Sequence, residues 1–495
     1  MKKILLDILS KIPSVDYADI RIVQIDTQSI ATKDGIVEAL ATGSTLGYGI
    51  RVLKDGAWGF AASNDFSTQA VDKTIALALQ ISLSSAQNKF EDIVLSEQKK
   101  IVASYKTPVK QDPFTVPFED KIKLLLEADK AQRVHKNIVI SQASFDAHRE
   151  RKWFASTNGS IIDQEITWTG AGIEASASDG KDFQNRTYPN SFRGQNMTRG
   201  YESVVESDLV GNAARVGEEA VQLLTAPLCP TGTYDLILDS NQLALQIHES
   251  CGHATELDRV LGDEASYAGT SFLTPEKLGT FQYGSPIVNL TADATIPGGL
   301  GTFAYDDEGV PAQETYLVKK GVFVDYLTSR QSAHKLHQLI PSYNSPSNGT
   351  MRASSWDRIP LIRMTNVNLL PGEEDAHNGK AWTLNDMIAD TKKGVFMSTN
   401  RSWSIDDRRL NFQFGTEVGW EIKDGKKIRM VKNPTYQGMT PQFWNSCNAI
   451  AGKKEWVVWG TPNCGKGQPS QVMYTGHGAS PARFKDIQIG VVKKW

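Results

Sequence analysis

The chain predicts an α+β fold, and three observations carry the prediction. Short stretches alternate apolar and polar residues with the two-residue period of a half-buried strand; Asp-Gly or Asn-Gly pairs fall between them; and three longer segments repeat their apolar residues every three or four positions. The 495 residues are 40% hydrophobic and 22% charged, ordinary for a folded protein and enough for two or three domains.

Taken in order, Ile4, Leu5, Ile8, Leu9 and Ile12 recur at helical spacing and predict an amphipathic first helix, while Asp7 and Lys11 interrupt the apolar run too early for an export signal. Tyr17–Ile25 and Tyr48–Leu53 alternate as strands. The pairs at 34–35, 55–56, 158–159 and 424–425 are expected to turn hairpins, where two positive φ values favour such residues. Helices are expected at about 66–85, 117–134 and 202–224. Two prolines in Leu224-Thr-Ala-Pro-Leu-Cys-Pro-Thr-Gly232 end the last helix and place a domain boundary near Ala226, dividing the chain into 1–225 and a β-rich 226–495. Thr233–Asp239 reads as a strand feeding a helix. Thr302–Tyr305, Thr315–Lys319 and Val322–Leu327 read as neighbouring strands joined by turns at Asp306-Asp-Glu-Gly309 and Lys320-Gly321.

Bulk properties narrow the function. A net charge of −3 and clusters no longer than Lys426-Lys427 and Lys493-Lys494 give no electrostatic footprint for nucleic acid, and no apolar run approaches the length of a membrane span. Four scattered cysteines do not make a disulfide framework, so a cytoplasmic setting is expected. Gly298-Gly-Leu-Gly301 lacks the Lys-Ser/Thr ending of a phosphate loop.

The chemistry concentrates at His248-Glu-Ser-Cys-Gly-His253. Neutral imidazoles at His248 and His253 are suited to hold a zinc ion, and Glu249 to take a proton from water activated there, which points to a metallopeptidase. The spacing departs by one residue from His-Glu-x-x-His. Five residues of regular helix leave the rings about 140° apart, against about 40° for four, so a π-bulge or a stop at Gly252 with left-handed torsions is expected within Ser250–His253. The competing reading is a buried helix whose histidines are merely hydrogen-bonded.

A catalytic zinc usually takes three protein ligands. Cys251 points away from at least one of the two rings on any helix, Cys229 follows a loop proline, and Cys447 lies in an undistinguished run. Cys464, in the Gly-rich segment Gly460–Gln468 beside a lysine able to favour thiolate, is only narrowly preferred, against a free loop cysteine.

The sequence resembles the TldD/PmbA metallopeptidases along nearly its whole length, and a TldD-type, metal-bearing member in particular. The resemblance lies in Gly47-Tyr-Gly-Ile-Arg-Val52, His248-Glu-Ser-Cys-Gly-His-Ala-Thr-Glu-Leu-Asp258, Asp306-Asp-Glu-Gly-Val-Pro311, Arg363-Met-Thr-Asn366 and Cys464-Gly-Lys-Gly-Gln468, in that order. It implies a His-Glu-x-x-x-His site with His248, His253 and Cys464 on Zn²⁺ and Glu249 as catalytic base. It also implies an N-terminal α/β domain, a β-rich, barrel-like C-terminal domain bearing the metal, and a homodimer or a heterodimer with a PmbA/TldE-like chain. The implied substrates are unfolded or short peptides. Departures are Pro462-Asn463 before the cysteine, Pro469-Ser-Gln-Val-Met473 after the loop, and Asn400–Arg409, where relatives carry a Gly-rich strand.

Further residues carry two readings each. Glu256 and Asp258 suit acceptors for a ligand histidine N–H or solvated loop carboxylates. Asp306, Asp307 and Glu308 suit a hard-cation site, though a turn between strands uses the same residues and is preferred. Arg363 suits a clamp on a peptide carboxylate or carbonyl, or a partner for an acidic neighbour. The alternative function is a non-catalytic peptide-binding subunit with a structural metal.

Overall fold

The structure, a computed structural model, describes residues 1–490; Lys493 and Lys494 lie outside the described residues. Strand Tyr17–Lys33 turns at Asp34-Gly35 into Ile36–Lys54, which turns at Asp55-Gly56 into Ala57–Ser63, and both residues of each pair have positive φ. Asp424-Gly425 does the same between Asn411–Lys423 and Lys426–Val431. At the turn between Ile138–Ser156 and Ile161–Ser178 only Gly159 is positive, at 84°, so that hairpin is not of the two-positive kind.

These N-terminal strands form one eight-stranded sheet, ordered Ala57–Ser63, Ile36–Lys54, Tyr17–Lys33, Ile138–Ser156, Ile161–Ser178, Val102–Lys106, with Phe183–Tyr188 and Gln195–Met197 added on the 161–178 strand. The two-residue period decides what each face meets. Ile20, Ile22, Tyr48, Ile50 and Val52 pack against helices Lys2–Lys11 and Thr68–Ala86. Farther along, Phe145, Ala171 and Ile173 lie under Phe118–Ala131 and Leu209–Thr225. The helix expected at 202–224 is two, Glu202–Glu206 and Leu209–Thr225. Asp208, at φ 45°, caps the second by accepting from the Gly211 N–H, a capping signal that the apolar period concealed.

Asp19, Arg21 and Arg51 alternate with the apolar positions, and Arg21 and Arg51 meet the C-terminal half. Arg51 pairs with Asp19 at 2.6 Å and Glu308 at 3.6 Å, while Asp307 receives Lys152 at 2.5 Å and Arg21 at 3.4 Å. Gly47 and Gly49 leave room for Trp356 on the same sheet: a Cβ on Gly47 would lie 2.3 Å from its ring, and one on Gly49 2.5 Å from its carbonyl oxygen. The 306–308 turn therefore has two jobs. Asp306 accepts N–H bonds from Glu308, Val310 and Met351, as a turn carboxylate does, and its two neighbours join the halves of the chain.

In the C-terminal half, Gly232–Leu238, Lys393–Ile405, Asn411–Lys423, Thr435–Met439 and Ala482–Ile489 close into a five-stranded barrel. Thr302–Tyr305 is not a strand, because Ala304 and Tyr305 donate their N–H groups to the side chain of Gln164 and Tyr305 makes a single bridge to Pro311. Of Val322–Leu327 only Val322–Phe323 pairs in a ladder. Helix Ser240–Ile247 leaves the end of the first barrel strand, capped by Asp239 and buried along its whole length. Inside it Gln242 Nε2 donates to the Tyr436 hydroxyl, which donates in turn to Gln246 Oε1, at 3.0 Å each, while Gln242 Oε1 and Gln246 Nε2 are buried without a partner among the described residues.

Candidate metal centre

The buried helix ends in a π turn over His248–Gly252, closed by the His253 N–H to the His248 carbonyl. That wider turn brings the two imidazole centroids to 4.8 Å. Of the two distortions expected, this is the bulge rather than a left-handed stop, since Gly252 has φ −53°. Glycine serves proximity here: a Cβ would lie 2.1 Å from the Met364 sulfur. The turn is braced by side chains, with the Tyr283 hydroxyl donating to the Ser250 carbonyl at 3.1 Å, Thr255 Oγ1 to the Cys251 carbonyl at 3.0 Å, and Trp444 Nε1 to Ser250 Oγ at 3.0 Å.

Cys464 sits on a strand, not in a loop. Val457–Lys466 pairs with Gln471–Ala479 as a separate two-stranded sheet. The register passes from Thr461↔Thr475 to Cys464↔Met473, so Pro462-Asn463 forms a bulge that re-aims the cysteine. Its Sγ lies 3.7 Å from His253 Nε2. One donor atom from each of His248, His253 and Cys464 falls within 4.8 Å of the others, and among the described residues this is the one His/Cys/carboxylate cluster with metal-holding spacing.

Electrostatics separates Cys464 from the other thiols. Burial pushes Cys229 and Cys447 up to about 12 and Cys251 higher still. At Cys464 burial acts the same way, but nearby positive charge, Arg363 foremost, outweighs it and the thiol is lowered. The neighbouring Lys466 does not supply this effect: its Nζ goes to Asp258 at 2.8 Å, the Ile362 carbonyl at 2.8 Å and Glu256 at 3.4 Å. Arg363 is fully buried and donates to the carbonyls of Cys464 and, at 3.2 Å, Gln471. It is spent on the main chain of the cysteine hairpin and faces no solvent.

Glu256 is 0% exposed, with Oε2 2.9 Å from His253 Nδ1. Burial alone would raise its carboxyl, but Lys466 and His253 hold it well below the usual range. An ionised carboxylate only accepts, so Nδ1 of His253 carries the hydrogen and Nε2 keeps the lone pair facing Cys464. Asp258 reaches Lys466 and the Arg259 N–H at 2.8 Å each, rather than a ring. Desolvation lowers both His248 and His253, leaving neutral donors.

Two neighbours of the centre were missed in the sequence. Arg409, carried by the turn after Lys393–Ile405, lies 3.0 Å from Glu249 Oε2; it belongs to the 400–409 stretch noted above as atypical. His477 Nε2 lies 2.8 Å from His248 Nδ1. A histidine between two glycines in an alternating run, Thr475-Gly-His-Gly478, was the available signal.

Comparison with known proteins follows the same outline. The sequence matches the family models described as PmbA/TldA metallopeptidase domain 1 over 18–82, the central domain over 111–228 and the C-terminal domain over 231–491. The chain belongs to the TldD/PmbA metallopeptidase family. A metalloprotease of Methanocaldococcus jannaschii is 30% identical to this family member, covering 86% of this chain and 87% of its own. A zinc metalloprotease TldD homolog of Saccharolobus solfataricus is 20% identical over 88% of each chain. The crystal structure of TldE from Thermococcus kodakarensis shares the fold at 16% identity, with a TM-score of 0.69 over 96% of this chain and 97% of that one. Among the described residues of this metallopeptidase no helix is long and apolar enough to cross a membrane.

Proposed function

We propose that this metallopeptidase is zinc-dependent, that His248, His253 and Cys464 hold the ion, and that Glu249 is the general base in hydrolysis of unfolded or short peptides. The observation that carries the reading is the meeting of three buried donors, two neutral imidazoles and a lowered thiol, from segments 211 residues apart. The donor set fits zinc. Tetrahedral bonds of about 2.3 Å to sulfur and about 2.0 Å to nitrogen put the two atoms about 3.5 Å apart, against 3.7 Å between Cys464 Sγ and His253 Nε2. Two imidazoles with a thiolate favour zinc over harder cations, and one relative is itself called a zinc metalloprotease.

A zinc ion there would polarise a peptide carbonyl and acidify water. The chain's own residues do the rest. Glu249 takes a proton from water at its carboxylate and returns it to the leaving amine. Arg409 pairs with that carboxylate and orients it. Glu256 fixes the His253 ring, and Lys466, itself tied to Asp258, keeps Glu256 charged. Arg363 fastens the two strands of the hairpin that carries Cys464. The β-rich surroundings suit an extended peptide read through main-chain hydrogen bonds at strand edges, with little side-chain selectivity. The chain acts in the cytoplasm and pairs with a second copy or with a TldE-like chain, the kind of protein whose fold it shares.

The test is hydrolysis of unstructured casein peptides by the purified chain, alone and with a TldE-like partner. Cleavage is expected, abolished by a chelator and restored by zinc. Zinc uptake without cleavage in either form would overturn the catalytic reading and leave a binding subunit.

A further inference from the structure

We infer that His477 is a positioning residue that holds His248 as its Nδ1–H tautomer, so that the lone pair lies on Nε2, the ring nitrogen away from His477. The inference rests on the metal-centre reading above and follows from a chain of contacts. His477 is 0% exposed. Its Nδ1 lies 3.1 Å from the Val367 carbonyl, which can only accept, so Nδ1 carries a hydrogen. Its Nε2 lies 2.8 Å from His248 Nδ1 and 3.2 Å from Thr475 Oγ1. A second hydrogen on Nε2 would make a buried cation whose contacts, a carbonyl, a hydroxyl and an imidazole, include no carboxylate, a costly arrangement. Nε2 is therefore a lone pair, and two lone pairs do not face each other at 2.8 Å, so His248 Nδ1 donates. The Thr475 hydroxyl has the Thr461 carbonyl at 3.5 Å as its own acceptor.

The fold fixes this geometry. A Cβ on Gly476 would lie 2.1 Å from Asn366 Oδ1, and one on Gly478 2.0 Å from the Trp456 ring, so the backbone on either side of His477 is pressed against neighbours that admit only glycine. The short strand Val367–Leu369 supplies the carbonyl beneath. Each histidine of the centre thus has its own acceptor at Nδ1: a carboxylate for His253 and a neutral imidazole for His248.

Zinc affinity, measured by competition with a chromophoric chelator, and ¹⁵N NMR of the metal-free, histidine-labelled chain test this together. His477→Leu removes the acceptor and is expected to weaken zinc binding about 10–100-fold and to abolish the Nδ1–H signature of His248. His477→Gln, whose amide oxygen reaches the same place, is expected to restore both close to wild type. A folded His477→Leu chain with wild-type affinity and an unchanged His248 tautomer overturns the inference and leaves the metal centre standing. Should the Leu variant fail to fold, a wild-type His248 that carries its hydrogen on Nε2 overturns it alone. A wild-type chain that takes up no zinc overturns the metal-centre reading instead, and the tautomer of metal-free His248 still decides the role of His477.

Discussion

Replacing Glu249 with glutamine is expected to lower kcat on an unstructured peptide by about 10²–10⁴-fold while the protein keeps its bound zinc. Glutamine preserves the shape and the hydrogen-bonding reach of the side chain but takes no proton from water. The residue lies in the π turn beside His248, with its carboxylate 3.0 Å from Arg409 and only 6% of the residue exposed, so few other groups can stand in for it. Metal content and peptide turnover, measured on the same preparation, separate the two contributions. Turnover within a few-fold of wild type would remove Glu249 from the mechanism; loss of zinc with turnover would mean that it holds the site together.

Asp307→Ala is expected to destabilise the protein by about 3–5 kcal/mol, read as a lower denaturant midpoint. Asp307 is 0% exposed and faces Lys152 and Arg21, two cations from the N-terminal sheet that are themselves 8% and 1% exposed at their side chains. Breaking a buried pair strands its partners, so the effect is far larger than for a surface salt bridge, where about 0–1 kcal/mol is typical. The same group gives a pH dependence. Burial works against the Asp307 carboxylate, but Lys152 and Arg21 outweigh it and its folded pKa is lowered. Stability from this group is complete above the unfolded value of about 3.9 and is lost as pH falls below it toward the folded value. The acid limb of the wild-type stability curve should therefore flatten in Asp307→Ala, and an unchanged acid limb would show that the cluster does not join the two halves.

Local chemistry was legible in the sequence wherever a few neighbouring residues decide the outcome. Asp34-Gly35 and Asp55-Gly56 turn hairpins because positive φ is cheap there, and the five-residue spacing of His248 and His253 required a break from the regular helix, which parts the rings; whether by a widened turn or a stop at Gly252 was left to the fold, which has the widened turn. What stayed hidden depends on partners distant in the chain. Asp307 reads as a turn residue until Arg21 and Lys152 come to meet it, 286 residues away in the first case. Arg409 and His477 have no spacing relation to the His-Glu motif, and only the folded sheet sets them beside Glu249 and His248. The bulge before Cys464 and the assignment of Lys466 to carboxylates rather than the thiol likewise follow from strand register, which composition does not encode.

Anomalous scattering at the zinc absorption edge, from crystals of the purified chain, addresses the three-ligand centre most directly. The expected result is one peak bonded to Nε2 of His248, Nε2 of His253 and Sγ of Cys464, at about 2.0–2.1 Å for nitrogen and about 2.3 Å for sulfur. A zinc-loaded crystal whose peak lies away from Cys464, or whose histidines bind through Nδ1, would contradict it.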